Sequence, residues 1–353
     1  MAFIVVNRVR YAGVAACVPK KVEDNLDYPY LRPDERQAYI ETTGVRFRHC
    51  TTPEICTSDL CFTAAKQLLQ DLGWDKLEID ALVFVSATPD YKMPATACVL
   101  QERLGLPTTC LAYDISLGCS GFVYGLSVLS SMISSGGVKK ALLLVGNTQH
   151  KNSNPKDKSA YLILGDAGTA SALEYDENAA PMLFSLQTFG DGKDSLIIPD
   201  GGCRNPLTEK SYIEKEDALG NIRNASQFKM DGEAVFQFVM SHVVGCIKDF
   251  MLHFGITDDK VDYYMLHHAS KMSCQKIHKK LKLSDNKVPY NFYDYGNSSN
   301  ACVPLLMVTN IFDALKSKDN NLVITGFGTG LSFGAGYLNC NHIVVSDLLF
   351  LPK

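Results

Sequence analysis

The stretch DISLGCSGFVYG, residues 114–125, joins two different sequence patterns at a cysteine. Residues 108–115 have the apolar character of a strand, and residues 120–135 have the pattern of a buried helix. A sharp strand-to-helix turn needs small residues, which Gly118 and Ser120 supply on either side of Cys119. The unpaired N–H groups and the dipole at a helix N-terminus stabilise a thiolate. The stretch therefore predicts that Cys119 is an exposed, acidic nucleophile.

The order of strand and helix patterns around this turn occurs twice along the chain, at a spacing of about 180 residues. Alternating strands and helices predict an α/β fold with largely parallel pairing. Because no Pro/Gly/Ser-rich linker separates the copies, we expect two duplicated halves, 1–178 and 179–353, that share one core. The matching segments are 73–88 with 255–270, 110–121 with 289–299, and 139–147 with 320–328.

The duplication places three chemically useful side chains at predicted strand ends. Cys119 and Asn297 occupy equivalent positions, and His267 follows a strand over 263–266. Ligands bind at the carboxyl ends of parallel strands, so we expect these residues to converge. A histidine and an asparagine that donate to one oxygen stabilise an enolate, while a cysteine carries an acyl group as a thioester. Alternation along the strand points His268, the neighbouring histidine, to the side opposite His267.

A glycine-rich segment, GFGTGLSFGAGY at 326–337, is predicted to turn between two strands. Its backbone N–H groups are candidates for an oxyanion hole. The polar, turn-rich stretch 199–226 is predicted to be a surface insertion and a candidate border of the site.

Composition argues against several other classes of protein. The net charge of −4 and a pI near 6.1 give no basic field for nucleic acid. The twelve cysteines include no CxxC pair and no zinc-type spacing with histidine, so we expect no metal. The N-terminus resembles a first strand rather than a signal peptide, and no run is expected to approach the length needed to span a bilayer. These features predict a soluble protein with free thiols in a reducing cytoplasm.

Four segments in this order and spacing resemble β-ketoacyl-acyl-carrier-protein synthase III, of the thiolase superfamily. They are LGCSGFVYGLSVLSSMISSG (117–136), LGDAGTASAL (164–173), YGNSSNACVP (295–304) and GFGTGLSFGAGY (326–337). TTGVRFRH (42–49) and ATPDYKMPATACVLQERLG (87–105) resemble the N-terminal half of that family. The resemblance implies a five-layered αβαβα fold, a homodimer, thioester substrates and no other cofactor.

The resemblance also implies roles for individual residues. Cys119 would accept an acyl group from a thioester, and His267 and Asn297 would stabilise the enolate formed when a malonyl-carrier loses CO₂. The N–H groups of Cys119 and Thr329 would form the oxyanion hole. Met93 would lie in the loop that enters the partner's acyl pocket, and Phe327 would contact the substrate.

The chain departs from the family where the family holds coenzyme A. A tryptophan and an arginine of the family become Ala38 and Thr42, and an arginine that stacks on adenine becomes Lys158. Two asparagines along the pantetheine tunnel become Ser270 and Glu233. Fewer stacking and bidentate contacts weaken nucleotide binding. We therefore expect an acyl-carrier donor and a specialised pathway.

Other activities remain open at this stage. The first alternative is an acyltransferase that passes the acyl group to an alcohol or an amine without condensation, and the second is an inactive subunit of a heterodimer. Reversible thiolase cleavage needs a second cysteine, and the glycine-rich turn carries Thr329 instead. A hydroxymethylglutaryl-type synthase needs a glutamate base, and the segment around residue 88 offers only Asp90. A lysine-rich helix around His278 is a candidate dock for an acidic carrier protein.

Overall fold

The computed structural model describes residues 2–352. Its strands are β1 (Ala2–Val6), β2 (Val9–Pro19), β3 (Val22–Asp24), β4 (Phe47–His49), β5 (Ala81–Val85), β6 (Leu111–Ile115), β7 (Lys140–Asn147), β8 (Ala167–Tyr175), β9 (Met182–Thr188), β10 (Leu196–Ile197), β11 (Lys215–Glu216), β12 (Ile222–Arg223), β13 (Lys229–Met230), β14 (Tyr263–Met265), β15 (Asn320–Gly328), β16 (Ser332–Cys340), β17 (Val344–Val345) and β18 (Leu349–Leu351). Its α-helices are α1 (Pro33–Thr43), α2 (Thr57–Leu72), α3 (Thr96–Leu104), α4 (Gly121–Ser134), α5 (Gly232–Phe238), α6 (Val244–His253), α7 (Lys271–Leu281), α8 (Phe292–Tyr295), α9 (Cys302–Asn310) and α10 (Phe312–Ser317).

Two sheets and three layers of helices alternate, which confirms the predicted αβαβα arrangement. The first sheet has the order β17-β2-β8-β7-β5-β6, with β18 also on β2, and the second has the order β1-β9-β16-β15-β14. Helices α4 and α9 lie between the sheets, and their apolar side chains share one core with both. Because α4 is covered on two sides, its sequence is apolar almost all round.

The outer layers each cover one sheet. Helices α2 and α3 pack on the outer face of the first sheet, and α5, α6 and α7 pack on the outer face of the second. A π turn, Val239–Val243, joins α5 to α6. The segment Gly232–His253 contains an 18-residue window with a mean hydropathy of 1.4, so by length and composition it could cross a bilayer, and the expectation that no run approaches that length is wrong. In the fold, its buried side chains cover the second sheet.

Strand pairing is more mixed than the predicted, largely parallel arrangement. In the first sheet β5 is parallel to β6 and β7, but β8 is antiparallel to both β7 and β2. In the second sheet only β14 and β15 are parallel. The physical reason is chain connectivity, because a short hairpin such as the one between β15 and β16 joins only antiparallel strands.

The two sheets exchange strands across the predicted boundary between 178 and 179. Strand β1 pairs with β9 in the second sheet, whereas β17 and β18 pair with β2 in the first. The boundary between the halves therefore stays a prediction about the duplication, and neither sheet is built from one half alone. One element of the duplication is wrong, because residues 289–299 form helix α8 and a turn instead of a strand.

Candidate active site

The predicted strand-to-helix turn lies at the edge of a cavity between the two halves of the chain. Strand β6 ends at Ile115 and α4 begins at Gly121, which leaves Cys119 in the turn. Cys119, His267 and Asn297 all line this cavity, whose volume is about 240 Å³. The structure therefore brings together three residues that are up to 178 positions apart in the chain (119 to 297).

The surroundings of the Cys119 thiol differ from the exposed, acidic site that the sequence predicts. The residue is only half-exposed, and burial raises the pKa of the Cys119 thiol above its ordinary value. Hydrogen bonds from Ser299, from the Thr329 backbone and from the backbone of Cys119 itself act in the opposite direction and lower this pKa. The prediction of an acidic thiol overlooked the cavity, whose apolar wall disfavours the charged form.

His267 lies two residues after the end of β14, in surroundings that favour a neutral imidazole. Burial, with a smaller contribution from the neighbouring His268, lowers the pKa of His267 to about 3. The imidazole of His267 meets the ring of Phe327 edge to face, with the ring centroids 5.2 Å apart. His268 lies on the other side, where its Nδ1 is 2.9 Å from Oδ1 of Asn291. A neutral imidazole keeps one N–H donor and one acceptor at neutral pH.

Asn297 is held by the LGDAG segment of the other half. Its backbone N–H donates to the Ile163 carbonyl at 2.8 Å, and its carbonyl accepts from the Gly165 N–H at 3.1 Å. A Cβ added to Gly165 would lie 2.0 Å from the carbonyl oxygen of Tyr295, so only glycine permits this approach. The Asn297 Oδ1 accepts from the Ser299 N–H at 2.9 Å. Its Nδ2 is the atom that remains to donate into the cavity.

The glycine-rich segment forms the predicted turn, between β15 and β16. Phe327, Gly328 and Thr329 line the cavity opposite Cys119. Gly328 has a φ of +151°, and a Cβ there would lie 2.9 Å from the Cys119 Sγ. The absence of a side chain lets the backbone approach the sulfur, and the Thr329 N–H reaches it. A backbone N–H held this close to the nucleophile is a candidate donor to an oxyanion that develops beside the sulfur.

Apolar side chains form the remaining wall of the cavity. They come from the segments that flank the predicted insertion 199–226, at and beside β10 and β13, and from α5. The stretch 199–226 is largely exposed, as predicted, while the residues that line the cavity are those on either side of it. The apolar members of the wall are Leu196, Ile197, Ile198, Phe228, Met230 and Val235.

Several residues singled out from the sequence lie outside this cavity. Met93 is 82% exposed in the loop before α3, and Lys158 lies beside Gly220 of the insertion. Ser270 caps the N-terminus of α7, one residue beyond Ala269, which does line the cavity. Glu233 lines a separate, more open cavity of about 470 Å³ on the other side of α5.

The sequence reasoning missed three polar residues of the cavity: Asn147, Gln149 and Ser299. Asn147 is the last residue of β7, so the strand-end argument that selected His267 also applied to it. Ser299 lies two residues after Asn297 and begins the turn into α9. Its proximity to Cys119 depends on how α4 and α9 pack between the sheets, which no local pattern reports.

Comparisons with known proteins identify the family that the chain resembles. A family model described as 3-oxoacyl-[acyl-carrier-protein] synthase III matches residues 113–192, and the model of its C-terminal part matches residues 252–340. The chain is 32% identical over 326 residues to "Beta-ketoacyl-[acyl-carrier-protein] synthase III" of Lactococcus lactis subsp. cremoris (strain SK11), covering 91% of this chain and 96% of the relative. The protein of the same name from Koribacter versatilis is 29% identical over 336 residues, covering 94% and 98%.

Solved structures give the same result. A 3-oxoacyl-(acyl-carrier protein) synthase from Burkholderia xenovorans LB400 superposes with a TM-score of 0.93 at 35% identity, over 99% of each chain. The synthase III from Pseudomonas aeruginosa PAO1 superposes with a TM-score of 0.82 at 28% identity, over 96% of this chain and 100% of the other. The chain belongs to the β-ketoacyl-acyl-carrier-protein synthase III family of the thiolase superfamily.

Proposed function

We propose that the chain catalyses a decarboxylative Claisen condensation between an acyl group carried on Cys119 and a malonyl-carrier thioester. The observation that carries the proposal is the convergence of Cys119, His267 and Asn297 on one cavity, with the Thr329 N–H directed at the sulfur. These groups correspond to the two half-reactions, which are acyl transfer to a thiolate and stabilisation of an enolate.

In the first half-reaction, the Cys119 thiolate attacks the carbonyl carbon of an acyl thioester. The N–H groups of Cys119 and Thr329 donate to the oxyanion that develops, and the carrier thiolate leaves and takes up a proton. The acyl chain lies against the apolar wall formed by β10, β13 and α5. Burial of that chain contributes binding free energy in proportion to its apolar area.

In the second half-reaction, His267 and the Asn297 Nδ2 donate to the thioester oxygen of the malonyl group. Loss of CO₂ leaves an enolate whose carbon attacks the acyl carbonyl, and the C–S bond to Cys119 breaks to release a β-ketoacyl thioester. A neutral His267 suits this role, because its lowered pKa keeps the imidazole uncharged at neutral pH. Two neutral donors stabilise the developing charge without having to release a proton.

We propose that the acyl donor is an acyl carrier protein in a specialised pathway. Ala38 and Thr42 are exposed on α1, where a small side chain and a short hydroxyl offer neither a stacking face nor a bidentate cation to a nucleotide. The exposed lysines of α7 (Lys276, Lys279 and Lys280) offer positive charge to an acidic carrier. No cofactor other than the thioesters is required.

The proposal extends to a homodimer in a reducing compartment. Strand β6 is an edge strand of the first sheet, and its Leu111 is 47% exposed, which favours pairing with a second copy. Met93, 82% exposed on the adjoining loop, would then reach the partner's cavity. The cysteines are free, which fits a reducing compartment such as the cytoplasm. Light scattering at micromolar concentration measures the oligomeric state directly.

The test is intact-protein mass spectrometry after the protein is mixed with acyl-carrier and acyl-CoA thioesters. We expect an adduct that Cys119→Ala abolishes and that Cys98→Ser, a change at an exposed cysteine on α3, leaves in place. A malonyl-carrier chase should clear the adduct with release of CO₂. An adduct that only an alcohol or an amine clears would indicate acyl transfer without condensation, and no adduct from any thioester would indicate an inactive subunit.

The preference for a carrier has its own test. Ala38→Trp combined with Thr42→Arg restores the two side chains that hold coenzyme A in the family. We expect this double variant to load acyl-CoA at least tenfold faster, which corresponds to about 1.4 kcal/mol, with loading from the acyl carrier unchanged. If the unmodified protein already loads acyl-CoA as fast as acyl carrier, the preference for a carrier is wrong.

A further inference from the structure

A buried serine lies beside the proposed nucleophile and is held by a second polar side chain. The Ser299 Oγ is 3.7 Å from the Cys119 Sγ, and it accepts a hydrogen bond from the Asn147 Nδ2 at 2.9 Å. Ser299 is 5% exposed and lines the same cavity as Cys119. Its backbone is fixed as well, because its N–H donates to the Asn297 Oδ1.

The contacts of Thr88 determine which group donates in each of these hydrogen bonds. The Thr88 Oγ1 donates to the Asn147 Oδ1 at 2.9 Å and itself accepts from the Thr148 N–H at 3.1 Å. With its oxygen occupied, the Asn147 amide turns its NH₂ group toward Ser299. The Ser299 oxygen then serves as the acceptor, and the hydroxyl hydrogen is free to point at the sulfur.

We propose that Ser299 is a further catalytic residue, whose hydroxyl donates a hydrogen bond to the Cys119 thiolate, and that Asn147 and Thr88 are positioning residues that direct this hydroxyl. The inference rests on the proposed role of Cys119 as the nucleophile. The apolar wall of the cavity disfavours a charged sulfur, so the thiolate needs a donor inside the cavity. A hydrogen bond to an ionised acceptor is about twice as strong as a neutral one.

The same hydrogen bond contributes both to acyl transfer and to release of the product. It increases the fraction of thiolate available for acyl transfer, and it stabilises the thiolate that leaves when the β-ketoacyl product forms. The titratable groups near the sulfur are His267, which shares the cavity, and the buried Cys302. Since burial holds His267 neutral and raises the pKa of Cys302, neither places a positive charge beside Cys119 at neutral pH.

The experiment measures the rate at which iodoacetamide alkylates Cys119 between pH 5 and pH 10, with the full-length chain and mass spectrometry of the Cys119 peptide. We expect Ser299→Ala to raise the apparent pKa of Cys119 by about one unit, so that alkylation at pH 7 is about tenfold slower. Ser299→Gly should give the same shift. Its backbone is well accommodated, because Ser299 has a φ of +56°, a left-handed conformation that favours glycine.

Two further variants separate the hydrogen-bond relay from general disturbance of the site. Asn147→Leu should shift the pKa in the same direction by a smaller amount, because the serine hydroxyl remains but is no longer directed. Ser298→Ala, a change at the adjacent buried serine, should leave the pH profile unchanged. An apparent pKa equal to that of the unmodified protein in both Ser299 variants would overturn the proposal.

The outcome for Ser299 is distinguishable from the outcome for the proposed function. Acyl loading from a carrier is measured on the same samples, and it reports whether Cys119 is the nucleophile. If the unmodified protein loads an acyl group on Cys119 and the Ser299 variants keep its pKa, only the serine proposal fails. If no acyl group reaches Cys119, both proposals fail together.

Discussion

A methyl group at residue 328 should slow acyl transfer by moving the hairpin that faces the nucleophile. A Cβ built on Gly328 would lie 2.8 Å from the Cβ and 2.9 Å from the Sγ of Cys119. Carbon atoms in good contact are about 3.5–4.0 Å apart, so the hairpin or the cysteine has to move by roughly 0.7 Å. The Thr329 N–H, one residue along, moves with the hairpin.

The expected size of the effect follows from this displacement. A misplacement of about 1 Å costs about 100-fold in rate, or about 2.7 kcal/mol of transition-state stabilisation. The φ of +151° at Gly328 adds a separate cost, because an L side chain in such a conformation destabilises the fold by about 1–3 kcal/mol. Gly328→Ala should therefore lower both the loading rate and the free energy of unfolding.

The assay is single-turnover acyl loading of Cys119, followed by mass spectrometry, with denaturant unfolding measured on the same samples. Gly137→Ala is the matched control, since a Cβ at Gly137 meets no atom within 4 Å. Loading of Gly328→Ala at a rate within threefold of the unmodified protein would refute the argument that the hairpin must approach the sulfur this closely.

Three further predictions concern the donors and their support. His267→Ala should still accept an acyl group on Cys119, but it should release CO₂ from malonyl-carrier about 100- to 1000-fold more slowly. The assay compares the rate of CO₂ release with the rate of acyl loading. Equal losses in both rates would contradict a donor role. The pKa of His267 is lowered to about 3 and that of His268 to about 4, mainly by burial, whereas both are near 6.5 in the unfolded chain. Below pH 6.5 the unfolded state therefore binds more protons than the folded state, and the free energy of unfolding falls as the pH falls. Each histidine should reduce the free energy of unfolding by about 2 kcal/mol between pH 7 and pH 5. In denaturant unfolding, His268→Gln should lose less stability than the unmodified protein over this pH range. An equal loss in both proteins would exclude His268 as a cause. Gly165→Ala should strongly reduce the rate of condensation and lower the thermal midpoint of unfolding. The added Cβ would lie 2.0 Å from the Tyr295 carbonyl oxygen and would displace the β-bridge between Leu164 and Asn297. A normal rate of CO₂ release would show that this bridge does not position Asn297.

The sequence by itself determined the layered α/β class, the strand-to-helix turn at Cys119 and the glycine-rich hairpin. These features are local: periodicity reports which faces are buried, and small residues mark tight turns and close backbone approaches. Alternation along an extended segment placed His267 and His268 on opposite sides, and the resemblance to the family then favoured His267. The order of the motifs then sufficed to recognise the family.

Tertiary structure alone decided how these segments meet and what environment each side chain has. The strand predicted before Asn297 is helix α8, and Asn297 itself is held by hydrogen bonds to Ile163 and Gly165, more than 130 positions earlier in the chain. The Cys119 thiol has a raised pKa because segments near residues 196, 230 and 327 close an apolar wall around it. A local sequence pattern cannot report contacts between residues that are distant in the chain. Burial, the exchange of strands between the sheets and the contact of Ser299 with Cys119 all depend on such contacts.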